Sequence, residues 1–176
     1  MLLGCPELLR SQLRAIIRLS HSFSDLRVLI PMVTDVDEIR QVKMIYEDCR
    51  KTHNEDARLS FAAMIETPAA ALFTEEICDE VDYVSIGTND LTQYVMAAAR
   101  GNPLVSRYYE ERHPAVMRTV RLIGEQAQSK GIPVSICGTL AGWDGSVQAL
   151  LDSHVDSLSV ASRLIPTIKR AVRRAL

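Results

Sequence analysis

Short apolar segments that suit buried strands alternate with segments of helical periodicity along the whole 176-residue chain. The strand segments are continuous apolar runs, as at 27–33 and 83–87, rather than alternations of apolar and polar residues. Continuous runs indicate strands covered on both faces, and such strands belong to parallel sheets. The sequence therefore predicts an α/β fold with five strands, at 27–33, 59–65, 83–87, 133–137 and 157–160, each followed by a helix.

Two architectures fit this order of elements, a doubly wound sheet and a (β/α) barrel. No Gly-x-Gly-x-x-Gly motif follows the first predicted strand. Its absence disfavours the dinucleotide-binding form of the doubly wound sheet. The pattern alone leaves the choice between sheet and barrel open.

Composition argues against several classes of partner. The formal net charge is -2 and the sequence pI is about 6.1, so no basic surface suggests nucleic acid. No apolar run reaches the roughly 18 residues that a membrane span needs. The four cysteines show no Cys-x-x-Cys spacing, which favours reduced thiols over a disulfide framework or a zinc site. We expect a cytoplasmic protein.

Polar residues follow the predicted strands directly, and in a barrel the carboxyl ends of the strands converge on one face. Glu66 follows the second strand and Asp90 the third, so two carboxylates would share a centre there. Oxygen ligands of this kind favour Mg²⁺. Both acids could instead cap the helices that they precede. Cys137, at the end of the fourth strand, could equally be a buried core cysteine.

Five stretches of the sequence carry a family resemblance. They are 64–70 (MIETPAA), 85–94 (SIGTNDLTQY), 97–103 (AAARGNP), 113–116 (HPAV) and 137–142 (CGTLAG). In order and spacing they resemble the phosphoenolpyruvate-binding barrel of enzyme I of the bacterial phosphotransferase system. That enzyme is a phosphoenolpyruvate-protein phosphotransferase of the PEP-utilising family. The resemblance implies that residues 1–176 are the C-terminal portion of a partial TIM barrel with outer helices. The first barrel strands and a phosphohistidine domain would lie upstream.

The resemblance also implies an activity and a set of site residues. The reaction would be Mg²⁺-dependent transfer of a phosphoryl group from phosphoenolpyruvate to a histidine on another domain, with release of pyruvate. Glu66 and Asp90 look like the Mg²⁺ ligands, while Asn89, Asp90 and Arg100 look like the substrate-binding residues. Cys137 resembles the cysteine that protonates the enolate carbon. A phosphocarrier protein and a second copy of the chain are the implied partners, since the family barrel is also its dimer interface.

Several residues depart from the family pattern within the matched stretches. Thr139 replaces the glutamate that usually follows Cys-Gly, Trp143 replaces an aspartate, and Ala99 stands where an aspartate usually precedes the arginine. These changes favour an alternative reading, a non-catalytic module for phosphoenolpyruvate sensing or dimerisation. A third reading is another Mg²⁺ and enolpyruvate barrel, such as a dikinase or a carbon–carbon lyase, and the Asp-Leu-Thr-Gln-Tyr run fits enzyme I better.

Overall fold

A computed structural model describes residues 2–53 and 56–176, which form one parallel sheet with helices against it. The strands are β1 (Arg27–Ile30), β2 (Ser60–Ile65), β3 (Tyr83–Gly87), β4 (Val134–Cys137) and β5 (Ser157–Leu158). They pair in parallel in the order β1-β2-β3-β4-β5. Strand order in a doubly wound sheet reverses part-way across, whereas in a barrel consecutive strands are neighbours. The predicted partial barrel of five βα units is therefore confirmed.

Eight α-helices connect or flank the strands in the described residues. They are α1 (Pro6–Leu19), α2 (Val36–His53), α3 (Pro68–Leu72), α4 (Thr74–Cys78), α5 (Thr88–Val95), α6 (Pro114–Ser129), α7 (Val147–Leu151) and α8 (Ile165–Ala175). Local capping signals set several of their ends. Glu38 Oε2 accepts hydrogen bonds from the backbone N–H groups of Thr34 (2.7 Å) and Asp35 (3.1 Å), as a capping pair should. Gly131 follows α6 with φ +68°, the left-handed conformation expected of a C-terminal cap.

The core lies between the sheet and the helices. Its larger cluster contains strand residues of β2, β3 and β4 together with residues of α3, α4, α6 and α7. A second cluster joins α1 and α2 to the start of β2. The opposite face of the sheet is more polar, since Ser135 pairs in register with Ser85 on one side and Ser157 on the other. That face remains available for a site.

Three elements differ in length from their sequence predictions. β1 ends at Ile30 rather than at residue 33, because Pro31 has no N–H to donate and Met32 turns to φ +56°. The single helix expected after β2 divides at Phe73 (φ -106°, ψ 24°) into α3 and α4. β5 is two residues long instead of four.

The sheet has free edges at β1 and β5. Beside β1, a groove of about 440 Å³ runs along α1 and is lined by apolar side chains such as Leu13, Ile16 and Val28. Unpaired edges of this kind invite pairing with another chain. In the part of the chain described here, no helix is long and apolar enough to cross a membrane.

Candidate active site at the carboxyl ends of the strands

Glu66, directly after β2, turns its side chain back toward the sheet instead of capping the next helix. Its Oε1 accepts a hydrogen bond from Met32 N at 2.8 Å, and the residue is only 4% exposed. Thr67 is the residue that caps α3, because its hydroxyl accepts from Ala70 N at 3.1 Å. The capping explanation of Glu66 is therefore wrong, and its carboxylate is held at the end of the sheet.

The surroundings of Glu66 disfavour its charge. Burial raises the pKa of the Glu66 carboxyl, the Met32 N–H lowers it, and the nearby Asp90 carboxylate raises it further. Gly87, at the end of β3, makes room for this carboxylate, since a Cβ there would lie 2.5 Å from Glu66 Oε2. A buried carboxylate beside a second one suits a bound cation.

Asn89 and Asp90 lie in the first turn of α5, immediately after β3. The side-chain Oδ1 of Asn89 accepts hydrogen bonds from Thr139 N at 3.0 Å and from Thr139 Oγ1 at 3.2 Å. A backbone N–H can only donate, so the amide oxygen must face Thr139 and the NH₂ group must point elsewhere. The two N–H donors of the Asn89 side chain are therefore directed away from Thr139.

The turn after β4 is pressed against the start of α5. Thr88 Oγ1 donates to the carbonyl of Cys137 at 2.9 Å. Gly138 has φ +96°, and a Cβ there would collide with Thr88 Oγ1 and lie 2.9 Å from Asn89 Oδ1. Glycine is required here both for the backbone conformation and for the close approach.

Cys137 is a half-buried free thiol outside both core clusters. Burial raises its pKa, a hydrogen bond with the Ser85 side chain lowers it, and the charges of Glu66 and Asp90 raise it. The strand register agrees with this, since Cys137 pairs with Gly87, the residue beside which the Glu66 carboxylate lies. The core-cysteine reading of Cys137 is not supported by this placement.

Arg100 lies on the loop after α5 and is exposed. Its backbone N–H donates to Gln93 Oε1 at 2.8 Å, which ties the loop to the helix. Burial raises the pKa values of Tyr109 and Glu111, and the Arg100 charge partly opposes both rises. The structure therefore brings four predicted residues together and sets Arg100 at the rim.

Three residues of this region were not predicted from the sequence: Ser85, Tyr109 and Glu111. Ser85 lies within the matched stretch 85–94. It lies on the same face of the sheet as Cys137, and this relation could have identified it from the sequence. Tyr109 and Glu111 lie in the connection before α6, which carries no motif. Only tertiary contact with Asn89 and Thr139 reveals them.

The donor chemistry of the site fits Mg²⁺. Glu66 and Asp90 offer hard oxygen ligands, and their mutual repulsion would be relieved by a cation. Among the described residues, no group of three or more His, Cys, Asp or Glu side chains is placed to hold a metal. Mg²⁺ commonly completes its coordination with water and substrate phosphate. A two-carboxylate set is therefore a suitable protein contribution.

Comparison with known proteins decides the family. The sequence matches the PEP-binding domain of PEP-utilising enzymes over residues 1–176. The chain belongs to this family. It is thus a phosphoenolpyruvate-binding domain, as the sequence stretches indicated.

Two curated relatives illustrate the range of the family. The chain is 37% identical over 172 residues to the phosphoenolpyruvate-protein phosphotransferase of Haemophilus influenzae, covering 95% of the chain and 30% of that protein. It is 40% identical over 170 residues to a probable phosphoenolpyruvate synthase of Methanocaldococcus jannaschii, covering 96% of the chain and 14% of that protein. The chain therefore spans less than a third of the length of either relative.

Two solved structures share the fold. A citrate lyase from Burkholderia xenovorans aligns with a TM-score of 0.69 and 16% identity, covering 93% of the chain and 53% of that structure. A pyruvate kinase from Cryptosporidium parvum aligns with a TM-score of 0.70 and 10% identity, covering 93% of the chain and 34% of that structure. At these identities the likeness concerns the fold alone.

Proposed function

We propose that this chain is the phosphoenolpyruvate-binding part of a phosphoenolpyruvate-protein phosphotransferase. It would bind phosphoenolpyruvate with Mg²⁺, support phosphoryl transfer to a histidine on another domain, and release pyruvate. The supporting observation is the convergence of Glu66, Asn89, Asp90 and Cys137 at the carboxyl ends of β2, β3 and β4. This is the face of a parallel barrel on which active sites are built.

In this proposal the chain binds the substrate phosphate from two sides. Asn89 offers its free NH₂ group, and Arg100 offers a guanidinium that can make bidentate hydrogen bonds to phosphate oxygens. Glu66 and Asp90 would hold Mg²⁺, which supplies charge neutralisation for the phosphoryl group. Positioning and electrostatics perform most of the work in such a transfer.

Cys137 would complete the reaction after the bond between phosphorus and the enol oxygen breaks. The phosphoryl group is transferred to the histidine nitrogen, and the enolate of pyruvate is the other product of this step. The Cys137 S–H then gives its proton to the methylene carbon, which yields pyruvate and a thiolate that regains a proton from solvent. The raised pKa of the thiol keeps Cys137 protonated through neutral pH, and protonation is the state that a general acid needs.

Binding of phosphoenolpyruvate by calorimetry, with and without Mg²⁺, tests the proposal. We expect weak binding that improves with Mg²⁺, with a Kd on the order of 1 mM, equivalent to about 4 kcal/mol. Asp90→Ala should abolish the Mg²⁺ effect. Asp144→Asn removes an exposed carboxylate after β4 and should leave binding unchanged. Equal Mg²⁺ dependence in the native chain and Asp90→Ala would refute the metal assignment.

A non-catalytic sensing or dimerisation module is the second candidate. Trp143, at the departure from the family aspartate, stacks under the Arg112 guanidinium at 4.6 Å, and both Trp143 and Thr139 are exposed. Exchange of the pyruvate methyl protons into D₂O, followed by proton NMR with Mg²⁺, separates the two candidates. Exchange that is lost in Cys137→Ser supports catalysis, whereas binding without exchange supports the sensor.

The cellular location, partners and oligomeric state of the protein are part of the same proposal. We place it in the cytoplasm, acting with a phosphohistidine domain and a phosphocarrier protein, without nucleic acid. The free edge of β1 and the apolar groove beside it support a homo-oligomer.

A further inference from the structure

Glu111 is a half-buried carboxylate placed against two hydroxyl groups that both hold Asn89. The Tyr109 hydroxyl lies 3.3 Å from Glu111 Oε1 and 3.0 Å from the backbone carbonyl oxygen of Asn89. The Thr139 hydroxyl lies 3.2 Å from Asn89 Oδ1, and it lowers the burial-raised pKa of the Glu111 carboxyl. Glu111 is thus hydrogen-bonded to the group that holds the Asn89 backbone and lies near the group that holds the Asn89 side chain.

Each hydroxyl has one proton and two acceptors to choose from. When Glu111 is ionised, both hydroxyls can donate to its carboxylate, which is the stronger acceptor because it is charged. When Glu111 is protonated, it can donate to one hydroxyl, which then donates to Asn89. In either state the carboxyl group can hydrogen-bond the Tyr109 hydroxyl.

The electrostatics of Glu111 agree with this geometry. Burial raises the pKa of the Glu111 carboxyl most, and hydrogen bonds from Tyr109 and Thr139 lower it. The neighbouring charges of Glu110 and Arg100 act in opposite directions, the first raising the pKa and the second lowering it. Burial is the main cause that raises the pKa of Tyr109 to about 12, and the Glu111 carboxylate adds to this rise.

The position of Thr139 matters because it determines which atoms Asn89 presents. Thr139 N donates to Asn89 Oδ1, so the amide NH₂ group is directed away from Thr139. A phosphate ligand needs donors, and the NH₂ group supplies them. A shift of Thr139 or Tyr109 would therefore change the orientation of the Asn89 amide group while the side chain itself remains in the site.

We propose that Glu111 is a positioning residue that orients the Asn89 amide toward the phosphate of phosphoenolpyruvate by holding Tyr109 and Thr139. This inference rests on the proposed function, in which Asn89 binds that phosphate. It also assigns a role to a segment, 104–112, that lies between two of the matched stretches and carries no motif. Charge alone makes the opposite prediction, since a carboxylate near an anionic ligand weakens binding.

The test compares three variants by calorimetry with phosphoenolpyruvate and Mg²⁺. Glu111→Ala should weaken binding roughly five- to tenfold, the effect of losing about one hydrogen bond. Glu111→Gln should restore most of the affinity, because its amide can still bridge the two hydroxyls. Glu110→Ala removes a neighbouring carboxylate that pairs with Arg112 at 3.1 Å, and it should leave the affinity unchanged.

A second readout does not depend on ligand binding. The side-chain NH₂ signal of Asn89 in a ¹H–¹⁵N NMR spectrum should move in Glu111→Ala and stay in place in Glu110→Ala. If Glu111→Ala matches Glu110→Ala in affinity and in this signal, the inference is overturned. Equal tightening in Glu111→Ala and Glu111→Gln would also overturn it, since that is the effect of charge.

Failure of the proposed function looks different. A native chain that does not bind phosphoenolpyruvate with Mg²⁺ counts against that function. The Asn89 signal then decides by itself whether Glu111 orients the amide: movement in Glu111→Ala retains the link between the two residues, and no movement removes it.

Discussion

Gly138 is the position where one added methyl group should damage both the fold and the site. Its φ of +96° is unfavourable for any residue with a Cβ, at a cost of about 1–3 kcal/mol. The new Cβ of Gly138→Ala would also collide with Thr88 Oγ1, which bonds the Cys137 carbonyl at 2.9 Å. Loss of that hydrogen bond adds about 1 kcal/mol. We expect a total loss of roughly 2–4 kcal/mol in the free energy of unfolding.

Gly131→Ala is the matched control for this variant. Gly131 also has a positive φ, +68°, but a Cβ there would meet nothing within 4 Å. Gly131→Ala should therefore show only the backbone cost, about 1–2 kcal/mol. The difference between the two variants isolates the contact with Thr88 and Asn89.

Urea unfolding and calorimetric melting measure both losses. For a chain of this size, each kcal/mol lowers Tm by about 2–4 °C, so Gly138→Ala should melt roughly 4–16 °C below the native chain. It should also weaken phosphoenolpyruvate binding, because Asn89 Oδ1 lies 2.9 Å from the new Cβ. A Gly138→Ala variant no less stable than Gly131→Ala, with native affinity, would refute the reasoning.

Three further predictions concern reactivity, pH and assembly. Cys137 should react with iodoacetamide more slowly than the exposed Cys5, because burial raises the pKa of Cys137. Phosphoenolpyruvate with Mg²⁺ should protect Cys137 alone. A Cys137 that does not react at all in the folded chain contradicts its proposed role. Glu66→Gln should stabilise the metal-free chain increasingly as the pH rises from acid to neutral. A carboxyl group whose pKa is raised in the folded state stabilises the fold at pH values below its unfolded-state pKa, and this stabilisation is lost as the pH rises through the folded-state pKa. A difference in urea stability between Glu66→Gln and the native chain that does not change with pH would argue against this. The free edge of β1, with Leu29 36% exposed, should drive self-association that Leu29→Lys reduces, and a native chain that sediments as a monomer at every concentration would exclude it.

Local sequence determined the elements and their order. The apolar runs of β2, β3 and β4 and the helical stripe of α6 follow from side-chain periodicity, which depends only on near neighbours. Capping by Glu38 and the turn at Gly131 are equally local. Residues at the ends of strands could be predicted to share one face because parallel strands place their carboxyl ends together. Glu66 and Asp90 were proposed in this way, whereas the roles of Asn89, Arg100 and Cys137 came from the family resemblance.

Tertiary structure decided what those residues contact. The sequence left open whether Glu66 caps the next helix, and its hydrogen bond with Met32, 34 residues away, directs the side chain to the end of the sheet instead. Asn89 is oriented by Thr139, 50 residues further along the chain. Glu111 was invisible because its relation to Asn89 exists only through such contacts. Periodicity within one helix or strand indicates which of its faces is buried. Which distant residue a side chain contacts depends on the path of the backbone through the fold, and periodicity does not specify that path.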